Sequence, residues 1–416
     1  MRRTASAKRQ PREGRTVARN STLNIGIVGL EFGAEFIPIY QRHPNANMYA
    51  ICQRTRSSLD AIGDQFGIDV RYDDYEAMLA DPAIDVVHVN TPLQHHADHV
   101  VRALEAGKHV GCTIPMATSV EDCKRIVDAQ AASGLVYMMM ETVIYSREFL
   151  YVKELYERGD LGKVQFVRAS HHQDMTGWPS YWDGMPPMHN ATHAISPTLA
   201  LCRNEAEWVS CLASGTVFDR MHAQYGSPFA IETTHIGFRD SDIGAEVTRH
   251  LWAVARQYRE SFDVYGSIRT FEWTQVEGED HVVHLGEQPS RVAIPDYAHL
   301  LPAEIQAFTT GGVYTEEGDS AHRSFVQGGG HGGSHPHLAH RLIEAVLGNE
   351  EPYPNAVQAA NITCAGILSH ESALRGGEKL HLPDWTFVPG NEPRVIPLDQ
   401  EREPAWAGVA PNGEGL

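Results

Sequence analysis

The sequence predicts an α/β protein in two parts, a doubly wound parallel sheet followed by an α+β region on an antiparallel sheet. Three observations carry this. The chain has 416 residues, more than one ordinary hydrophobic core accommodates, so two domains are the default. From residue 23 to residue 141 short apolar runs alternate with helix-periodic segments, the pattern of repeated β-α-β units. Beyond that point strand-like runs follow one another with Gly, Asp and Asn between them, which reads as an antiparallel meander.

LNIGIVGL opens the first part as a short, nearly continuous apolar run, as a strand buried on both faces requires. AEFIPIYQRH reads as a helix and NMYAIC as the second strand. Leu59, Ile62 and Phe66 then recur at helical spacing. AIDVVHVNTP is another buried strand, and HADHVVRALEAG is a helix closed by Gly107, where glycine takes a left-handed turn at little cost. KHVGC is the next strand. Thr118 and Glu121 are spaced as a capping box opening the helix VEDCKRIVDAQAAS, which Gly134 ends. LVYMMME completes the series.

In the second part GKVQFVRASHH, AEWVSCLASGTV, IETTHIGFRD, GAEVTRHLWAV, YRESFDVYGSIRTFEW and DHVVHLG are strand-like, while HLAHRLIEAVLG and AVQAANITCAGILSHESALRGG are helical. A meander of this kind leaves one sheet face open. Two copies of a chain often bury such faces together, so a homo-oligomer is expected.

Composition narrows the function classes. The chain is 42% hydrophobic and 21% charged, as soluble globular proteins are. A net charge of −19 argues against nucleic acid and against an anionic membrane surface as partners. No apolar run reaches the roughly 18 residues that span a bilayer. The first 22 residues hold seven Lys or Arg and one acid. No apolar core follows Arg2-Arg3, so this segment reads as a disordered basic tail and not as an export signal. Cys52, Cys112, Cys123, Cys202, Cys211 and Cys364 are scattered without CxxC or finger spacing. Reduced, buried thiols in a cytoplasmic protein fit that usage.

The turn after the first strand is Gly29-Leu30-Glu31-Phe32-Gly33-Ala34. A dinucleotide fingerprint wants G-x-G-x-x-G/A there. Gly29 and Ala34 fit, while Glu31 replaces the glycine that lets the backbone approach a pyrophosphate. The turn still serves if the Glu31 side chain points to solvent. The second strand ends in Cys52-Gln53-Arg54-Thr55-Arg56 instead of the acid that holds an adenosine ribose. Gln53 can bond a ribose diol, and Arg54 and Arg56 suit a 2′-phosphate, so NAD against NADP is open.

GLEFGAEF, DVVHVNTPLQHHADHVVRALEAGKHV, CTIPMA and RGDLGKVQFV together resemble the glucose-fructose oxidoreductase/inositol dehydrogenase/MocA (Gfo/Idh/MocA) family over roughly residues 23–380. The most specific element is Asn90-Thr91-Pro92 with His96 and the EAGKHV that follows. The resemblance implies an N-terminal Rossmann domain over 23–142 and a substrate-binding and oligomerisation domain over 143–382, its open sheet covered by helices on one face. The tail over 1–22 and an extension over 383–416 flank them. It further implies a nicotinamide cofactor and a carbohydrate-like substrate. The cofactor positions it implies are Gly29, Glu31, Phe32, Gly33, Gln53, Arg54, Asn90, Thr91, Pro92, His96, Thr113, Ile114, Pro115 and Glu141.

The family writes glutamate-lysine-proline where this chain has Thr113-Ile114-Pro115, and its lysine serves the substrate hydroxyl. Ile114 cannot take a proton, so another base is needed. The family also carries an Asp and a His four residues apart on a helix. HNATHAISP places His193 on that histidine and His189 on the aspartate, and residues i and i+4 share a helix face. The candidate catalytic residues are therefore His193 and His189, with Glu141 and Tyr145 from METVIYSREF. HHQDMTGWPSYWDG offers His172, Asp174, Trp178, Tyr181 and Trp182 as a sugar-binding surface. GGGHGGSHPHL reads as a mobile flap carrying His331, His335 and His337. No third ligand stands at diagnostic spacing from His189 and His193, so no metal is assigned.

Loss of the lysine is compatible with the branch of the family that includes NAD-dependent glycosidases. These oxidise C3 transiently, eliminate the group on C1, add water and reduce the sugar again. The expected function is such a glycosidase. The alternatives are a net sugar or polyol dehydrogenase with a histidine base, and a non-catalytic sugar or dinucleotide sensor on the same fold.

Overall fold

The structure, a computed structural model, describes residues 22–310 and 330–385. The basic tail through residue 21, the C-terminal extension from 386 onward and the first two residues of GGGHGGSHPHL lie outside the described residues.

The first sheet has six strands: β1 (Leu23–Val28), β2 (Ala46–Cys52), β3 (Val70–Tyr72), β4 (Val86–Val89), β5 (His109–Thr113) and β6 (Tyr137–Met140). All pairs are parallel, in the order 3-2-1-4-5-6. This is the doubly wound sheet expected. β3 and the helix Tyr75–Ala80 escape the sequence pattern because each is too short to show a period. The helix expected after β1 is broken into Leu30–Gly33, a 3-10 turn Ala34–Phe36, and Ile37–Arg42, which carries its proline in the first turn. Thr118 is not the cap of the next helix. Ser119 is, its side chain accepting the Asp122 amide at 3.1 Å, and Gly134 ends the helix at φ 65°.

The second sheet has nine strands: β7 (Val164–His172), β8 (Ala206–Ser214), β9 (Ile231–Phe238), β10 (Gly244–His250), β11 (Arg259–Gly266), β12 (Arg269–Glu272), β13 (His281–Leu285), β14 (Gln288–Val292) and β15 (Leu380–His381). Their order is 14-13-12-11-7-10-9-8-15. The meander expectation needs one correction. β7 lies between β10 and β11 and runs parallel to β10, an arrangement that needs a long crossover. Residues 173–243 supply it.

Two helices cover one face of this sheet. Every residue of Thr192–Ala200 is buried, as is most of Ala356–Leu374, which is why both read as apolar all round. The helix Gly330–Val346 returns to the first sheet, where Leu338, Leu342 and Ile343 join the cluster of Leu23, Ile25 and Met140. Its first turn departs from helical geometry, with positive φ at His331, Gly332 and Gly333. This end is pinned, since Arg147 donates to the carbonyls of Gly332 and Thr309. Of its described residues, His331 lies against the cleft.

Candidate active site

Strand order reverses between β1 and β4, which opens a crevice at the carboxyl ends of the parallel strands. A cleft of about 1010 Å³ runs from this crevice to the second sheet. Gly29, Gln53, Asn90 and Thr113, at the ends of β1, β2, β4 and β5, line its first half. Gly29 takes φ +85°, and a Cβ there would stand 2.4 Å from the Asn90 carbonyl oxygen. Only glycine fits. Gly33 lies outside the lining, and its lack of a side chain lets Ile27 and Asn90 close in.

Glu31 is exposed and lines the cleft. Phe32 lines the cleft edge-on to His331 and His335. Gln53 Oε1 accepts the Leu30 amide at 3.2 Å and so ties the end of β2 to the turn. Arg54 lines the cleft with Asp73 and Asp74. Thr91, Pro92 and Ile114 are lining residues, while Pro115 is not. His96 touches the cleft, but its ring nitrogens lie 2.7 Å from the carbonyl oxygens of Thr91 and of Pro115. It braces two loops.

Loop 173–190 roofs the second half. Asp174, Trp178, Tyr181 and Trp182 line the cleft, with Trp178 edge-on to Trp182 at 6.3 Å. His172 does not. It lies against His250, ring centroids 3.9 Å apart, with Nε2 2.8 Å from the Ser170 hydroxyl. Arg249, fully buried, holds the roof by donating to the Asn190 carbonyl at 2.7 Å and to Gln173 at 3.1 Å.

His193 reaches the cleft from the helix Thr192–Ala200. Its Nδ1 donates to Glu141 Oε1 at 2.6 Å, and its Nε2 stands 3.5 Å from Glu260 Oε1. Glu141 is completely buried behind the ring, so it positions His193 and does not itself reach the cleft. Burial works against the imidazolium, but Glu141 and Glu260 outweigh it and lift the His193 pKa to about 9. Burial raises the Glu260 pKa, opposed by His193 and by the Tyr258 hydroxyl that donates to Oε1. His331 Nε2 stands 3.7 Å from the same oxygen.

Tyr258 and Glu260 are absent from the sequence-based candidates because YRESFDVY reads as a plain strand. Two polar residues at alternate positions of a central strand were the available signal. Register explains their setting. Glu260 pairs across to His171, His171 to Arg249, and Arg249 to Glu232. Cross-strand partners share a face, so one polar row crosses four strands beneath the covering helices.

The helix face expected to join His189 and His193 does not form. The helix begins at Thr192, and His189 belongs to the 3-10 turn Pro187–Asn190, with Ala191 at φ −115° between them. His189 faces His370 instead, ring centroids 5.3 Å apart. Tyr145 is also outside the lining, its hydroxyl donating to the Tyr353 carbonyl at 2.7 Å.

Comparison with known proteins agrees with this geometry. Residues 23–141 match the family model described as "Oxidoreductase family, NAD-binding Rossmann fold". The chain is 22% identical over 425 residues to a "Glycosyl hydrolase family 109 protein" of Shewanella baltica, covering 92% of this chain and 90% of that one. A protein of the same name from Streptomyces filamentosus is 24% identical over 419 residues, covering 92% and 82%. Among solved structures, a levoglucosan dehydrogenase in complex with NADH and levoglucosan superposes with a TM-score of 0.70 at 19% identity, covering 88% of this chain and 100% of that one. Such a likeness shares the fold. With the turn at Gly29, the bridge from Gln53 and the Asn90-Thr91-Pro92 edge, residues 23–141 are similar to the NAD-binding Rossmann fold of the Gfo/Idh/MocA oxidoreductase family.

Proposed function

We propose that this protein is an NAD-dependent glycosidase that cleaves a sugar glycoside by transient oxidation. The observation that carries the reading is the pair formed by His193 and Glu260 beside the cofactor end of the cleft, with Ile114 where a lysine would serve. NAD, when bound, supplies a reversible hydride acceptor. The protein must supply proton chemistry of both signs, because a ring hydroxyl and a carbon acid lose protons while the departing group gains one. His193, held protonated between two carboxylates, is the donor, and Glu260, set behind the cleft lining, accepts through the Tyr258 hydroxyl, which lines the cleft and donates to it. Glu141 positions His193, and Trp178, Tyr181 and Trp182 offer faces for the sugar ring. The relatives named glycosyl hydrolase family 109 support hydrolysis over net oxidation.

The alternative is a net sugar or polyol dehydrogenase, which the levoglucosan dehydrogenase likeness keeps in play. Aryl glycosides presented to the NAD-loaded protein distinguish the two. Release of the phenol with no net NADH supports the glycosidase, while stoichiometric NADH from a free sugar supports the dehydrogenase and overturns the first reading. All six cysteines are buried and unpaired, which supports a cytoplasmic location. The uncovered face of the second sheet, where Leu212 is exposed, is the surface we assign to a second copy of the chain.

A further inference from the structure

We propose that His193, His331 and Glu260 form a binding site for one divalent transition-metal ion of zinc-like chemistry. His193 Nε2, His331 Nε2 and Glu260 Oε1 all lie within 4.8 Å of one another, the one such group among the described residues. Two ligands about 2.0–2.1 Å from a tetrahedral ion stand roughly 3.3–3.4 Å apart. Here Glu260 Oε1 is 3.5 Å from His193 and 3.7 Å from His331, close to that separation on the carboxylate side.

Three further features belong to a metal site and not to a casual cluster. Each converging imidazole has its other nitrogen engaged, His193 Nδ1 by Glu141 at 2.6 Å and His331 Nδ1 by His335 at 3.0 Å. His335 in turn meets Glu35 at 3.1 Å. Outer partners of this kind fix the tautomer and aim the free nitrogen at an ion. His171, 1% exposed, has both ring nitrogens without a hydrogen-bond partner, and its Nε2 stands 4.0 Å from Glu260 Oε1. A buried orphan imidazole is costly unless something occupies it. Imidazoles with one carboxylate and no thiolate suit zinc-class ions over magnesium or calcium.

His193 and His331 both line the cleft, so an ion there faces the space assigned to the sugar and keeps its fourth position for one sugar hydroxyl. That role rests on the proposed function. In it His193 and Glu260 would act as ligands while an ion is bound, and the ion would supply the polarisation of the hydroxyl that the imidazolium supplies without it. The site itself rests on geometry alone.

The test uses the full chain, stripped with a chelator and titrated with Zn²⁺ and with Co²⁺. One equivalent should bind, and Co²⁺ should give the ligand-field absorption of a four-coordinate N/O site. His331→Ala should weaken Zn²⁺ by at least the roughly 10–100-fold that even outer partners command, with Glu260→Gln as the second variant. No Co²⁺ absorption by the folded wild-type chain overturns the proposal. So does unchanged Zn²⁺ affinity in folded His331→Ala. Glycoside cleavage that survives complete stripping, with no ion bound on return, removes the metal and leaves the proposed function standing. One tightly bound ion with no action on any glycoside or sugar supports the site and removes the function.

Discussion

Two histidine–carboxylate pairs of the same geometry sit at opposite ends of one buried polar row. Glu141 and His193 meet at 2.6 Å, and so do Glu232 and His370. Glu141 and Glu232 are both 0% exposed. At the first end His193 keeps Nε2 turned toward Glu260, His331 and the cleft. At the other end Glu232 also accepts the Met188 amide at 2.8 Å, and His370 is shut in by His189 and Phe229. Hydrogen-bond geometry is therefore no guide to chemistry here. What separates the two pairs is access to the cleft, which His193 lines and His370 does not.

Breaking each pair should break a different property. The largest effect belongs to the open end. His193→Ala should lower kcat by about 10²–10⁴-fold, as loss of a positioned acid or base does, with NAD affinity held within a few-fold because the histidine belongs to the second sheet's helix. Near-normal turnover would make both ends structural.

The sealed end should answer in stability. His370→Ala leaves Glu232 buried without its partner, a change of about 3–5 kcal/mol. Denaturant titration reads it, while kcat per folded molecule should stay within a few-fold. A selective loss of kcat without loss of stability would move the chemistry to this end.

Acid should find the sealed end next. Burial and His370 push His189 down to about 3, and burial with His335 does the same for His88. Free imidazoles titrate near 6.5, so below that pH the unfolded chain binds protons that the folded chain refuses. The neutral rings leave stability intact above pH 6.5, and it declines as pH falls from there toward 3. Each contributes on the order of 1 kcal/mol of loss by pH 5.5. Denaturation midpoints at pH 7.5 and 5.5 measure it, and His189→Asn should reduce the difference. Equal midpoints in the wild type would show that these histidines charge within the fold.

The smallest effect lies at the far end of the cleft. Gln53→Ala removes the acceptor for the Leu30 amide and should weaken NAD by about 1 kcal/mol, several-fold in Kd. NAD titration checks it, and an unchanged Kd would mean that the turn holds its shape alone.

The sequence alone determined the doubly wound sheet, because a strand buried on both faces must be apolar throughout, as Ile25, Ile27, Val86 and Val87 are. It also located the dinucleotide turn, since Gly29 answers a local backbone demand that no other residue meets. His193 was legible through its place in HNATHAISP, and Glu141 through its place after the last parallel strand. Local spacing misled where it assumed a continuous helix, and so it joined His189 to His193. What only the tertiary structure decided is the company His193 keeps. Glu260, His171 and His331 come from β11, β7 and the turn before the last helix but one, segments that show ordinary strand or loop patterns on their own. They converge because β7 enters the sheet between β10 and β11, and this register places Glu260 opposite His171. Strand register is a property of long-range pairing, and the residues that a register brings together carry no mark of it in their neighbours along the chain.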